Sequence, residues 1–289
     1  MDEVTAAIEA LESKRARARW IVAAHVAVYA AALLLFVFGK WPPALGLLLA
    51  NLLIYFLLVR RSVGGYAQAA TEANLRFGLC AGLEDMTYQA KGGVTQADLE
   101  RWAMLPVAGK GDGLLCRHLV TGRRGDMELG CAEITFHYMA PGAKGREEQR
   151  FLSGSLLTAR ERPDPKRGGW LLLRQNLLEA GAREMFIEAN GYHAAQGAPE
   201  GFFLYAPQAE AELPGYLTRR VAKLCGGMES LGALRLTRDG AAAYLDMRFY
   251  TGSSYPTTHP SASQLRENTL AERDDLWDLF RFWFSSDEA

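Results

Sequence analysis

Two uninterrupted apolar runs near the start of the chain constrain its fold more than anything that follows them. The first, Trp20 to Phe38 (WIVAAHVAVYAAALLLFVF), has nineteen residues, no formal charge and one titratable side chain besides tyrosine, His25. At a helical rise of about 1.5 Å per residue it reaches roughly 29 Å, the thickness of a hydrocarbon core. The second, Pro43 to Val59 (PALGLLLANLLIYFLLV), is of similar length, with Asn51 as its one strongly polar interior residue. Helices apolar on every face need either a membrane or a large cover of protein. The expectation is therefore a transmembrane hairpin over residues 20–59, with spans 20–38 and 43–59 and the lipid bilayer as its partner. A cleaved signal peptide fits poorly, because the second run follows at once and no small-residue cleavage site closes the first.

The flanks predict an orientation. Lys14, Arg15, Arg17 and Arg19 precede the first run, Arg60 and Arg61 follow the second, and only Lys40 lies between them. Basic residues stay on the cytoplasmic side, which predicts a two-pass protein of the bacterial inner (plasma) membrane with both termini cytoplasmic. Trp20, Trp41 and Tyr55 fall near span ends, where amphipathic rings favour the headgroup layer. Pro42 and Pro43 suit the first turn of the second helix, where a missing N–H costs little.

Of 289 residues, those beyond Arg61 are enough for a real hydrophobic core. Up to Arg61 there are seven Lys or Arg against four Asp or Glu, leaving 25 against 29 in the remainder, which carries about −4. A nucleic-acid binder would show a basic excess, so no nucleic-acid partner is expected. Cys80, Cys116, Cys131 and Cys225 form no CxxC pair and read as reduced, small apolar residues of a cytoplasmic domain.

Residues 1–19 read as an amphipathic cytoplasmic leader helix, with Val4, Ile8 and Leu11 on one stripe, running into the first span without a break. That stripe suits a solvated leader, an oligomerisation seam or a helix against lipid headgroups. Residues 60–112 read as a helical connector. There SVGG loosens the chain, Tyr66 to Leu83 has helical composition, and VTQADLERWAML starts a short helix with Thr95 and Asp98 as a capping box.

Residues 113–289 read as a cytoplasmic α+β domain. GLLCRHLVTG and MELGCAEITFHYMA form strands joined across GRRGD, and FLSGSLLTARE, WLLLRQN, REMFIEAN and GFFLYAP continue as short strand-like runs. ELPGYLTRRVAKLCGG is an amphipathic helix, LGALRLT and AAAYLDMRFY flank an Asp-Gly hairpin turn, and Gln264 to Phe284 closes the chain as a helix. The fold class is thus a membrane-anchored α+β protein, a two-helix hairpin followed by a mainly antiparallel sheet with flanking helices.

The two N-terminal spans, VTQADLERWAMLP, HLVTGRRGDMELGCAEITFHY, RFLSGSLLTA and FFLYAPQAEAELPGYLTRRVAKL together resemble the DUF3137 family of bacterial membrane-attached proteins of unknown function. The resemblance runs from about Tyr66 to Phe284 and implies a helix ending in the Tyr88 region. It departs from the pattern at Ala206, Pro207 and Gln208, where an acidic residue is expected. The family implies membrane attachment and no activity.

No catalytic, cofactor-binding or metal site emerges from the motifs. GKGDG at residues 109–113 lacks the spacing of a phosphate loop and a helix to follow it, RGD at 124–126 is a turn, and there is no GxSxG or HExxH. The nearest to a metal set is Cys116, His118 and Cys131. A hairpin about GRRGD could place Cys116 opposite Cys131, with His118 on the same face, but a fourth ligand is lacking, and apolar strand cysteines explain the pattern as well. His137 lies about 20 Å along the strand, too far to join. Glu84 and Asp85 are adjacent carboxylates expected at a helix end. His25 and Asn51, inside the spans, suit a hydrogen bond between the two helices, a polar contact between protomers or part of a pore lining.

The leading expectation is a non-enzymatic membrane-anchored protein whose cytoplasmic domain binds a protein partner or small ligand and needs no cofactor. A homo-oligomer is compatible with this. The alternatives are a membrane effector or signalling protein whose assembly rearranges the spans, and an unrecognised hydrolase built on Glu84, Asp85, Cys116 and His118.

Overall fold

The computed structural model describes residues 3–74, 76–77, 82–106, 113–160, 169–209, 211–247 and 270–285. The chain divides into two compact units, one built on residues 1–81 with 250–268, the other on 82–249 with 269–289. Cys80, most of the GKGDG loop and the Pro256–Pro260 loop fall outside the described residues.

In the first unit, helix α1 spans Glu3–Val37, so leader and first apolar run are one helix as expected. The chain turns over Phe38 to Lys40, where Gly39 takes φ 71°, a left-handed conformation that favours glycine. Helix α2 spans Trp41–Ile54 with proline at its first positions, passes through a π turn at Tyr55–Val59, and continues as α3, Arg60–Asn74. The loosening expected at SVGG does not occur. A glycine in a helix interior costs about 1 kcal/mol, but unlike proline it keeps its N–H, and packing of α3 on α1 outweighs that cost.

That packing follows a seam. On α1 it runs through Leu11, Ala18, His25 and Ala32, each seven residues from the last. Opposite lie Ala44, Asn51, Val59, Tyr66 and Ala73, also seven apart except for the eight-residue step from Asn51 to Val59. The π turn sits inside that step and absorbs the extra residue, which keeps the buried face in phase on both sides. Near the open end, Leu11 and Ala73 pack with Ile8, Ala69, Ala70 and Phe77. Leu11 and part of Ile8 on the leader are therefore covered by this chain's own α3.

Among its described residues the second unit holds a nine-stranded antiparallel sheet in the order β1-β2-β3-β4-β9-β8-β5-β7-β6. The strands are β1 Glu84–Lys91, β2 Leu115–Arg124, β3 Met127–Pro141, β4 Glu147–Arg160, β5 Trp170–Arg174, β6 His193–Ala194, β7 Phe202–Ala206, β8 Leu231–Leu236 and β9 Gly240–Leu245. The hairpin across GRRGD forms as expected, closing tightly at Gly125 and Asp126 with Arg124 opposite Met127.

Alternation puts Ala132, Ile134, Phe136 and Tyr138 of β3 on one face. They join Leu156, Leu171, Ala242 and Tyr244 in a core covered by α4 (Gln96–Trp102) and α5 (Ala180–Ala189). Helices α6 (Gly215–Gly227) and α7 (Leu270–Ser285) contact one another and bury Leu217, Val221, Leu224, Leu276, Phe280 and Trp283. The indole N–H of Trp283 donates to the Thr237 carbonyl in the β8–β9 turn at 3.0 Å, tying α7 to the sheet.

Two expectations need correcting. REMFIEAN, taken as a strand, lies in α5, where Ala182 and Phe186, four apart, face the core. The connector over 60–112 is not all helix, and no helix ends at Tyr88: β1 occupies 84–91, so Glu84 and Asp85 begin a strand. Its side chains alternate strictly between half-buried and exposed beyond Asp85, a pattern that pairing with β2 stabilises and a lone helix would not.

Candidate functional site

The capping box of α4 builds one wall of an open groove. The Thr95 N–H and hydroxyl both donate to Asp98 Oδ2, at 2.9 and 2.7 Å, and the Asp98 N–H donates back to Thr95 Oγ1 at 3.2 Å. Burial disfavours the Asp98 charge, but these hydrogen bonds, with Arg160 and Arg101 nearby, hold its carboxyl below the ordinary value. Arg160 approaches Asp98 Oδ1 at 3.8 Å, an ion pair too long to be a hydrogen bond.

The floor comes from the sheet. Thr121, Gly130 and Thr158 stand side by side on β2, β3 and β4. A Cβ on Gly130 would come 2.7 Å from Thr158 Oγ1, so glycine there keeps the floor open. Val94, Trp102, Leu119, Leu129 and Leu156 form the apolar part of the lining. Near the hairpin turn, Glu84, Arg123, Glu128 and Arg160 lie opposite one another across β1 to β4 with alternating sign. Such pairing fixes register, since like charges would face each other after a slip. The groove encloses about 450 Å³, within the range of small-ligand sites. Its hydroxyls, carboxylates and guanidinium groups can hold a small polar or zwitterionic molecule, and among the described residues its lining contains no histidine, cysteine or lysine.

His118 lies elsewhere on β2 and marks a β-bulge. It takes φ 54°, and the pairing with β3 shifts register between Arg117 and Val120. The bulge carries its ring to the Tyr88 hydroxyl, 2.9 Å from Nδ1, while Nε2 lies 3.9 Å from Glu133. Burial lowers its pKa against a smaller upward pull from Glu133, and Arg117 lowers it further. The unfolded chain then binds more protons than the folded one as pH falls through 6.5, so stability drops there and levels off only below the folded pKa. The melting temperature in detergent should therefore fall from about pH 7 to about pH 5. His118→Asn, which tolerates this backbone, should flatten that slope, and an unchanged slope would exclude His118 as its source.

The strand register also undoes the expected metal set. Cys116 pairs with Ile134 and Cys131 with Val120, so the two cysteines are not opposite one another. The extra residue puts them on different faces: Cys116 packs with the core that holds Ile134, while the Val94 N–H points to its sulfur at 3.4 Å. Among the described residues no group of three His, Cys, Asp or Glu could hold a metal ion. Burial raises the Cys116 pKa and pushes Cys225 up to about 12, so both behave as core thiols. Glu84 and Asp85 are exposed, and Asp85 lines the groove.

In the hairpin, Asn51 is only 3% exposed, and its Oδ1 has no hydrogen-bond partner. His25 Nδ1 is likewise buried and unpaired, with the Tyr55 ring 5.7 Å away. The hydrogen bond expected between the helices is absent at both atoms. The groove itself was missed in the sequence, although the alternating charges beside GRRGD were a signal for its rim.

No family model matches the chain, and no curated protein matches it. Among solved structures, the chain is similar to the crystal structure of the mycobacterial trehalose monomycolate transport factor A, TtfA, at 13% identity over 73% of this chain and 94% of that one. With a TM-score of 0.37, the likeness carries no argument about what this chain does.

Proposed function

We propose that the chain is a two-pass membrane protein of the bacterial inner membrane that holds an α+β binding domain at the cytoplasmic surface. One observation carries the reading: large apolar side chains are exposed all along both helices between Trp20 and Leu58. Trp20 is 78%, Phe36 64% and Leu57 66% accessible, while the corresponding surface of the sheet unit bears only scattered examples. Water would not tolerate such a continuous patch, and lipid would. The helices Thr5–Val37 and Trp41–Ala73 are each long and apolar enough to cross a bilayer.

The domain acts by binding, with the groove beside α4 receiving a small ligand or a segment of a partner. Kinship with the DUF3137 membrane-attached proteins is part of the same proposal. It is supported by the paired apolar helices and the capped helix at Thr95, while the strand at Tyr88 departs from it.

Reporter fusions test the arrangement. Reporters at residue 1 and after residue 289 should score cytoplasmic, and one inserted at Lys40 external. The opposite pattern, or release of the chain from membranes by alkaline carbonate, would overturn the proposal.

A further inference from the structure

The membrane hairpin contains polar groups that its own fold leaves unsatisfied. Asn51 Oδ1 and His25 Nδ1 are buried without partners. A neutral imidazole carries one N–H, and a proton on the buried, acceptor-less Nδ1 would be stranded. The favoured tautomer therefore has its N–H at Nε2. Tyr55, 43% exposed, lies beside His25 with the rings tilted by 40°. In hydrocarbon an imidazole N–H left without an acceptor has no water to turn to.

We infer that the hairpin pairs with a second copy of this chain through the flank bearing His25 and Tyr55, each imidazole N–H donating to the other copy's tyrosine hydroxyl. The inference rests on the membrane reading above. His25 lies five residues from Trp20 and Tyr55 four residues from Val59, about 8 and 6 Å along the helices. Donor and acceptor thus share a depth in the bilayer. Copies inserted in the same orientation hold both groups at that depth, and a two-fold axis along the membrane normal forms the bond twice. A different partner would need a polar group at that same level, whereas a second copy supplies one by symmetry.

The test uses the full chain, labelled with donor and acceptor fluorophores and reconstituted in phosphatidylcholine–phosphatidylglycerol vesicles over a range of lipid-to-protein ratios. Energy transfer should report a dimer. His25→Leu and Tyr55→Phe should each weaken it by roughly three- to tenfold. The double variant should be little weaker than either single one, because both remove the same bond. His25→Gln, which keeps an N–H donor, should recover part of the loss, with helix content by circular dichroism unchanged throughout. A membrane-retained chain that is monomeric at every ratio overturns the inference, as do substitutions whose effects simply add. Release by alkaline carbonate defeats the anchor reading instead.

Discussion

Gly154→Val is expected to abolish folding of the sheet unit, and Gly154→Ala to lower its stability by about 3 kcal/mol or more. A Cβ at this position would stand 2.1 Å from the Leu245 carbonyl oxygen and 2.9 Å from the Tyr244 ring. Neither neighbour can yield. The oxygen belongs to β9 where it pairs with β4, Ser155 facing Leu245, and Tyr244 is fully buried in the core. A domain of this size is held by only about 5–15 kcal/mol, so one such overlap removes a large share. Thermal unfolding followed by circular dichroism measures it. Gly226→Ala makes the control: that helical glycine has open space around it, and its substitution should be neutral or mildly stabilising. Equal effects at the two positions would refute the close approach at Gly154.

Trp283→Ala should cost about 3–5 kcal/mol, the usual consequence of emptying an aromatic site in a core. The side chain is 1% exposed, and its N–H caps the Thr237 carbonyl, which would be left without that donor. Trp283→Phe should cost less, because it retains most of the buried area and loses the hydrogen bond. The ordering of the two variants, read from melting temperatures, checks whether packing or the hydrogen bond dominates. A Trp283→Ala protein as stable as the parent would show that this side chain does not hold α7 to the sheet.

The helical hairpin was legible in the sequence because length alone identifies it: nineteen residues without a charge have few other readings. The capping box at Thr95 and the hairpins at Gly125 and Asp239 were legible for a similar reason, each being a local pattern satisfied within a few residues. β1 was not. Its sequence, EDMTYQAK, alternates weakly and becomes a strand only because β2 pairs with it. α5 was misread since REMFIEAN offers apolar residues at both periods, and the core at Ala182 and Phe186 selects the helical one.

The candidate metal set failed on register. The turn at GRRGD pairs Cys131 with Val120, so even a regular strand would set Cys116 opposite Thr135, and the bulge at His118 then moves it to Ile134 on the other face. Bulges leave little trace in sequence when no glycine marks them, and here a histidine holds the positive φ. The groove is non-local in the same sense. Thr121, Gly130 and Thr158 become neighbours only once three strands are in register.

The π turn at Tyr55–Val59 separates two demands on one helix. Each residue advances an α-helix by about 100°, so omitting the extra residue would swing all of α3 by that angle relative to α2. With it, the apolar segment and the segment bearing Tyr66 and Ala73 present the same side to α1. The turn acts as a keyway, setting the azimuth of everything downstream without altering the apolar length that precedes it.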